Sequence, residues 1–308
     1  MLMSSISQKH QLLETITKKK KINKRKLNVE KHFIIFEIAN NHMGDLAHGI
    51  NIINEFAKVR DKYKNHFDFA LKFQFRDLKT FIHKKYKGSN LKFVKRFEET
   101  KLTKSNWTRL FKVARKHNFK LLATPFDERS VNKILLNRFN LIKIASCSFT
   151  DWPLLEKIAQ AKKEVIFSTA GSNIEQIDSV VSFFENRNIK YTIMHCVGKY
   201  PTKDSQLNLG TIELFTKRYP NSKVGFSTHE NPDNFISGSL ALAMGAKVFE
   251  KHIGIETDKY KVNKYTANPE QINKWLHSLM VSKIMVGERN KRPAIYKEKK
   301  ELRDLQRG

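Results

Sequence analysis

Eight times between residues 33 and 285, a short β-branched or aromatic run is followed by an amphipathic stretch of helical length. Runs of this kind read as strands, and the stretches after them carry apolar residues at helical spacing. The predicted strands are Phe33–Ala39, Asp68–Gln74, Lys120–Thr124, Leu141–Ala145, Val165–Thr169, Tyr191–Cys196, Lys223–Ser227 and Lys247–His252. The predicted helices are Ile50–Val59, Trp107–His117, Arg129–Asn137, Pro153–Ala161, Ile174–Asn186, Thr211–Tyr219, Asn234–Met244 and Pro269–Met285. Strands that return through a helix each time are parallel, because a tight hairpin joins only antiparallel neighbours. Eight such units in roughly 250 residues predict an α/β fold, a (β/α)8 TIM barrel. An open doubly wound sheet is the alternative, but no glycine-rich dinucleotide fingerprint follows the first strand. Residues 76–103 lack a clean pattern and predict a loop excursion over the barrel mouth.

The 308 residues, 40% of them apolar, suffice for a large buried core. No apolar run approaches a membrane span and no leader-like segment opens the chain, so the expectation is a cytoplasmic protein. Two cysteines, Cys147 and Cys196, exclude a disulfide framework and suit a reducing compartment. The charge is extreme: 58 Lys+Arg against 30 Asp+Glu give +28. Such a balance admits nucleic acid, anionic membranes and phosphorylated metabolites as partners. Its placement narrows the choice. Residues 1–31 read as a basic tail whose lysine blocks lack interleaved aromatics for base stacking, and residues 289–308 as a charged linker flanking a catalytic domain at 32–288. Charges in tails and on helix faces are solvated, which disfavours nucleic acid.

Catalytic groups of such barrels come from the carboxyl ends of the strands. Those ends are unusually polar here: Glu37, Lys72, Gln74, Thr124, Lys143, Ser146, Ser168, Thr169, His195, Ser227, His229, Glu250, Lys251 and His252. Lys72 and Lys143 interrupt apolar strands, where a lysine without a partner is costly to bury. With hydroxyls from Thr124, Ser146, Ser168 and Ser227 they make a cradle for phosphate and carboxylate. His229 and His252 end consecutive strands, a pairing that suits a divalent metal. Glu37 can orient a hydroxyl, act as a general base, or form an ion pair with Lys72. His195 either lines the site or packs.

The ordered succession FEIANNHMGD, LKFQ, ATPFD, KIAS, FSTAG, MHCVGKYPT, VGFSTHE, LAMGAKVFEKHI and NPEQ resembles the sialic acid synthase family, the phosphoenolpyruvate-dependent synthases of nonulosonic acids. The resemblance runs from about Phe33 to Lys283. It implies condensation of phosphoenolpyruvate with an N-acylmannosamine-type aldehyde sugar and release of phosphate. By the same resemblance Lys72, Thr124, Lys143, Ser146, Ser168 and Ser227 contact phosphoenolpyruvate, and His229 and His252 hold Mn2+ or Mg2+. Glu37 is the catalytic carboxylate, Gln74 and Glu250 line the site, and Tyr200 contacts the sugar. Another phosphoenolpyruvate-utilising condensing barrel, or a catalytically silent basic binding protein, are the alternatives.

The sequence departs from the family pattern in three places. Ser148 stands where a sugar-binding glutamate is common, and residues 260–265 replace a Gly-Pro-Asp-His-like loop. The C-terminal antifreeze-like domain of the family is expected to be absent, so the expectation is a homodimer or a separate cap-domain partner. The changed sugar contacts predict the same reaction class on a different or relaxed acceptor.

Overall fold

A computed structural model describes residues 31–288 and 290–307; the basic block of the tail lies outside them. The strands are β1 (His32–Glu37), β2 (Phe67–Phe75), β3 (Lys120–Pro125), β4 (Leu141–Ile144), β5 (Val165–Ser168), β6 (Tyr191–Cys196), β7 (Lys223–Thr228) and β8 (Val248–His252). They pair in parallel and in chain order, and β8 closes on β1. Helices α1 (Leu46–Tyr63), α2 (Lys104–Lys116), α3 (Glu128–Leu136), α4 (Trp152–Gln160), α5 (Ile174–Glu185), α6 (Gly210–Arg218), α7 (Ile236–Ala243) and α8 (Pro269–Val286) follow the strands in turn. The TIM barrel expected from the alternation is therefore the fold.

Alternation along each strand sorts the side chains into two sets. Ile35, Ala70, Leu122, Leu141, Ile166, Met194 and Val248 meet inside the barrel as a separate apolar cluster. Gly225 belongs to this floor, because a Cβ there would lie 2.6 Å from the Val248 carbonyl oxygen and 2.9 Å from the Met194 methyl carbon. Two residues further along each strand the inward set becomes polar: Glu37, Lys72, Thr124, Lys143, Ser168, Cys196, Ser227 and Glu250. The outward set joins the helices in a larger apolar core. One part of it is an aromatic nest in which Phe73, Phe75, Phe111 and Phe139 meet edge to face.

Helix caps explain where the predicted boundaries moved. α1 begins four residues earlier than its apolar pattern suggests, since Asp45 caps it through the His48 amide at 3.1 Å. The excursion at 76–103 is partly helical, with turns at Leu78–Phe81 and Lys92–Glu99. The stretch read as a linker holds a helix, Tyr296–Arg303, that buries no residue. Among the described residues no helix is long and apolar enough to cross a membrane.

Candidate active site

The polar layer above the apolar floor is a chain of buried ion pairs. Lys72 contacts both Glu37 and Glu250, the latter at 2.9 Å, and Glu250 reaches on to Lys143 at 3.8 Å. Two carboxylates and two ammonium groups, from β1, β2, β4 and β8, thus balance one another across the barrel. Burial pulls the Lys72 ammonium down to about 8, against the opposing field of Glu250. Burial also resists ionisation of Glu250, but Lys143 and Lys72 outweigh it and hold that carboxyl below the usual range. Glu37 is fixed twice, by Lys72 and by the Ala39 amide, which donates to Oε1 at 2.5 Å. The ion pair weighed from the sequence is therefore present.

Hydroxyls surround these charges. Lys143 donates to Ser168 Oγ at 2.5 Å, and Ser227 donates to Glu250 at 3.2 Å. Thr124 Oγ1 is buried without a hydrogen-bond partner among the described residues, an acceptor and donor left over for something else. Ser146 follows β4 and accepts from the Ala170 amide at 3.1 Å, which joins the β4 and β5 ends. Gln74 shares a register position with Thr124 and accepts from Arg76 at 3.0 Å. Ser148 is buried beside the Ser146 turn.

His229 and His252 come together with ring centroids 5.3 Å apart. Burial lowers His229 to about 4 and His252 well below its ordinary value, so both imidazoles are neutral, the form that binds metals. Tyr200 packs on His229 at 4.4 Å. Tyr265, from the loop after β8, packs on both histidines at 5.7 and 5.1 Å and on Tyr200 at 5.5 Å. Sequence reasoning singled out the segment holding Tyr265 but not that residue, because nothing in a loop's composition fixes its path. Cys196 was also missed as a site group; its Sγ lies 3.9 Å from His229 Nδ1. Burial pushes its thiol up to about 11, so it is not a ready thiolate.

His195 takes the packing alternative, not the site-lining one. It falls on the outward phase of β6, donates from Nε2 to the Leu207 carbonyl oxygen at 2.7 Å, and stacks on Phe226 at 6.1 Å. Its burial is that of a packing residue between strands and helices. Behind the histidines sits a second buried pair: Lys251 Nζ lies 3.0 Å from Glu230 and 5.4 Å from the Trp275 ring centre. Ser237 of α7 donates to the same Glu230 oxygen at 2.7 Å. Each member of this pair is the chain neighbour of one of the two histidines.

Comparison with known proteins places this arrangement. The model of the family described as NeuB matches residues 63–291. The chain is similar to the solved spore coat polysaccharide biosynthesis protein E of Chromobacterium violaceum, with 46% identity and a TM-score of 0.87, over 90% of this chain and 82% of that one. N-acetylneuraminic acid (sialic acid) synthetase of Leptospira borgpetersenii aligns with 27% identity and a TM-score of 0.78, over 89% and 91% of the two chains. N,N'-diacetyllegionaminic acid synthase of Campylobacter jejuni is 31% identical over 74% of this chain and 69% of its own length.

Proposed function

Because the chain belongs to the NeuB family, we infer that it is a phosphoenolpyruvate-dependent synthase joining phosphoenolpyruvate to an N-acylmannosamine-type aldehyde sugar. The products are a nonulosonic acid and phosphate. The observation that carries this reading is the inward polar layer at the carboxyl ends of the strands, where two lysines and a ring of hydroxyls face one another. Phosphoenolpyruvate is a small polyanion, and Lys72 and Lys143 are the buried cations suited to its phosphate and carboxylate. Thr124, with its unused hydroxyl, and Ser146, Ser168 and Ser227 complete the cradle.

His229 and His252 would hold a divalent cation, Mn2+ or Mg2+. Converging neutral rings fit that role, and His252 makes no hydrogen bond through its ring among the described residues. No third His, Cys, Asp or Glu joins them there, so substrate and water oxygens would complete the shell. The ion, when bound, supplies Lewis-acid polarisation of the sugar aldehyde.

The chain's own groups then set the geometry. Held by the lysines and hydroxyls, phosphoenolpyruvate presents the enol face of C3 to the aldehyde carbon, and a C–C bond forms. Water adds to the resulting cationic C2, and the C–O bond to phosphate breaks, with the electron pair leaving on phosphate. Glu37, fixed by Lys72 and the Ala39 amide, is the carboxylate placed to assist proton movement. Gln74, Glu250 and Tyr200 line the acceptor side, and the reaction suits a cytoplasmic enzyme.

The test is turnover of phosphoenolpyruvate by the purified chain with Mn2+ and a panel of N-acyl hexosamines. Sugar-dependent phosphate release is expected, and its loss together with Mn2+ binding is expected in His229→Ala/His252→Ala. Absence of release with every acceptor, with a cap domain supplied in trans, would reject the reading.

A further inference from the structure

The excursion at 76–103 leaves the carboxyl end of β2 and projects large apolar side chains into solvent. Phe81, Tyr86, Leu91 and Phe93 are 39%, 44%, 52% and 70% exposed. Single exposed apolar residues are ordinary, but four within the span 81–93 make a patch. Contacts join its parts. Phe93 stacks on Phe97 with ring centres 6.4 Å apart, Phe97 meets Phe81 at 6.0 Å, and Phe81 meets Phe126 at 6.2 Å. Arg76 fills the inner end of this row, 4.1 Å from the Phe97 ring centre and 3.6 Å from that of Phe126. The turn that carries Tyr86 is held to the same helix, since the Gly88 amide donates to Glu98 at 3.2 Å. The row is therefore anchored at the barrel and open at Phe93. The helical segment Lys92–Glu99 beneath it buries none of its residues.

Charge is interleaved with these tips. Lys84, Lys85, Lys87, Lys92 and Lys95 stand among them, all exposed. The carboxylates of the stretch 79–101 are Glu98 and Glu99, and both are engaged, Glu98 by the Gly88 amide and Glu99 by Lys95 at 3.8 Å. A surface of this make-up sets two requirements on a partner. The lysines call for an anion, and the apolar tips call for a layer that admits them out of water. Nucleic acid meets the first alone: Leu91 has no π-face for a base to stack on, and Phe93 already uses one ring face on Phe97. The interface of an anionic bilayer meets both, with lysines at the headgroup phosphates and aromatic and aliphatic tips at the acyl boundary.

We propose that residues 81–95 form a docking surface for an anionic lipid bilayer, with Leu91 and Phe93 entering the interface and the flanking lysines meeting lipid phosphates. Because the excursion springs from the carboxyl end of β2, docking places the barrel mouth beside the membrane. The surface gives part of the +28 charge a partner that the polar layer inside the barrel does not supply. It stands apart from the reaction assigned to that layer, and either can fail without the other.

The deciding experiment is co-sedimentation of the full chain with sucrose-loaded vesicles. Binding is expected to vesicles of equal parts phosphatidylcholine and phosphatidylglycerol, and not to phosphatidylcholine alone. Lys84→Gln/Lys85→Gln/Lys92→Gln should weaken the partition about hundredfold, at about fivefold for each lysine near an anionic surface. Leu91→Ser/Phe93→Ser should weaken it about tenfold or more with every charge kept. Both sets change exposed positions, which the fold does not depend on. Equal behaviour with the two kinds of vesicle overturns the proposal. So does a lysine variant that binds like the wild type, which would place the affinity in the basic residues 1–31. A serine variant that binds like the wild type also overturns it, and leaves a general polyanion surface for which a labelled RNA is the probe. If ultracentrifugation without lipid shows a dimer that Leu91→Ser/Phe93→Ser dissolves, a second copy covers the patch and the membrane reading fails. Phe93→Trp reports the contact locally: its emission should shift to the blue on the anionic vesicles, and an unshifted emission in bound protein would overturn insertion at this residue.

Discussion

Two buried ionic clusters occupy the same end of the barrel and face opposite ways. The inner one runs Glu37, Lys72, Glu250, Lys143 around four strands and ends on the Ser168 hydroxyl. The outer one is a single pair, Lys251 with Glu230, covered by Ser237 and Trp275 between β8 and the helices. One residue of sequence separates them: Glu250 points in and Lys251 points out. Burying paired charges is a poor source of stability compared with apolar packing, so neither cluster is explained by stability alone. The outer pair is closed on itself and ties the residues next to His229 and His252 across adjacent strands. The inner chain is open-ended, with a buried Thr124 hydroxyl still unused among the described residues, and it is where phosphoenolpyruvate is proposed to bind.

Charge removal should separate the two. Lys72→Met takes away a cation proposed to hold the substrate, and kcat/KM for phosphoenolpyruvate is expected to fall by about 10³ or more. Steady-state kinetics checks this; a loss under tenfold would place the lysine in a structural role like that of its outward counterpart. Lys251→Met strands Glu230 in the apolar layer, and a stability loss of about 3–5 kcal/mol is expected by denaturant unfolding, with kcat changed by less than about tenfold. The double variant Lys251→Met/Glu230→Gln removes both charges and should regain most of that loss. A double variant as unstable as the single one would show that packing around Trp275, not the charge, is what Lys251 provides.

How far these clusters could be read from the sequence follows from strand phase. The eight strand-helix units carry the fold, and strand-end position selects Lys72, Lys143, Glu250 and the two histidines without any contact information. Phase also separates His195 from Cys196 and Lys251 from Glu250, because inward residues repeat every second position. The reading by strand end alone passed over that alternation and so left His195 open between lining the site and packing. Other elements were not legible. Tyr265 arrives on a loop whose path depends on the closed barrel, and the Arg76 guanidinium sits against Phe97 and Phe126, which are distant in sequence and meet only in the fold. The pairing of Lys251 with Glu230 needs the β7–β8 register, which sets Thr228 opposite Lys251.

The smallest expected effect is a pH dependence that belongs to the inner cluster alone. Burial brings Lys72 down to about 8, and a neutral amine no longer attracts phosphate or carboxylate. For a lowered lysine the active charge is present below that value and disappears as pH rises through it. The profile of kcat/KM for phosphoenolpyruvate reports the free enzyme, so it should decline above about pH 8, approaching tenfold per unit. Lys72→Arg should move that limb beyond the measurable range at whatever reduced rate remains, because a guanidinium stays charged. The outer pair gives the control: Lys251→Met/Glu230→Gln leaves the field around Lys72 nearly unchanged and should keep the limb within about half a unit. A limb that moves with the outer variant but not with Lys72→Arg would reverse the assignment of which cluster meets the substrate.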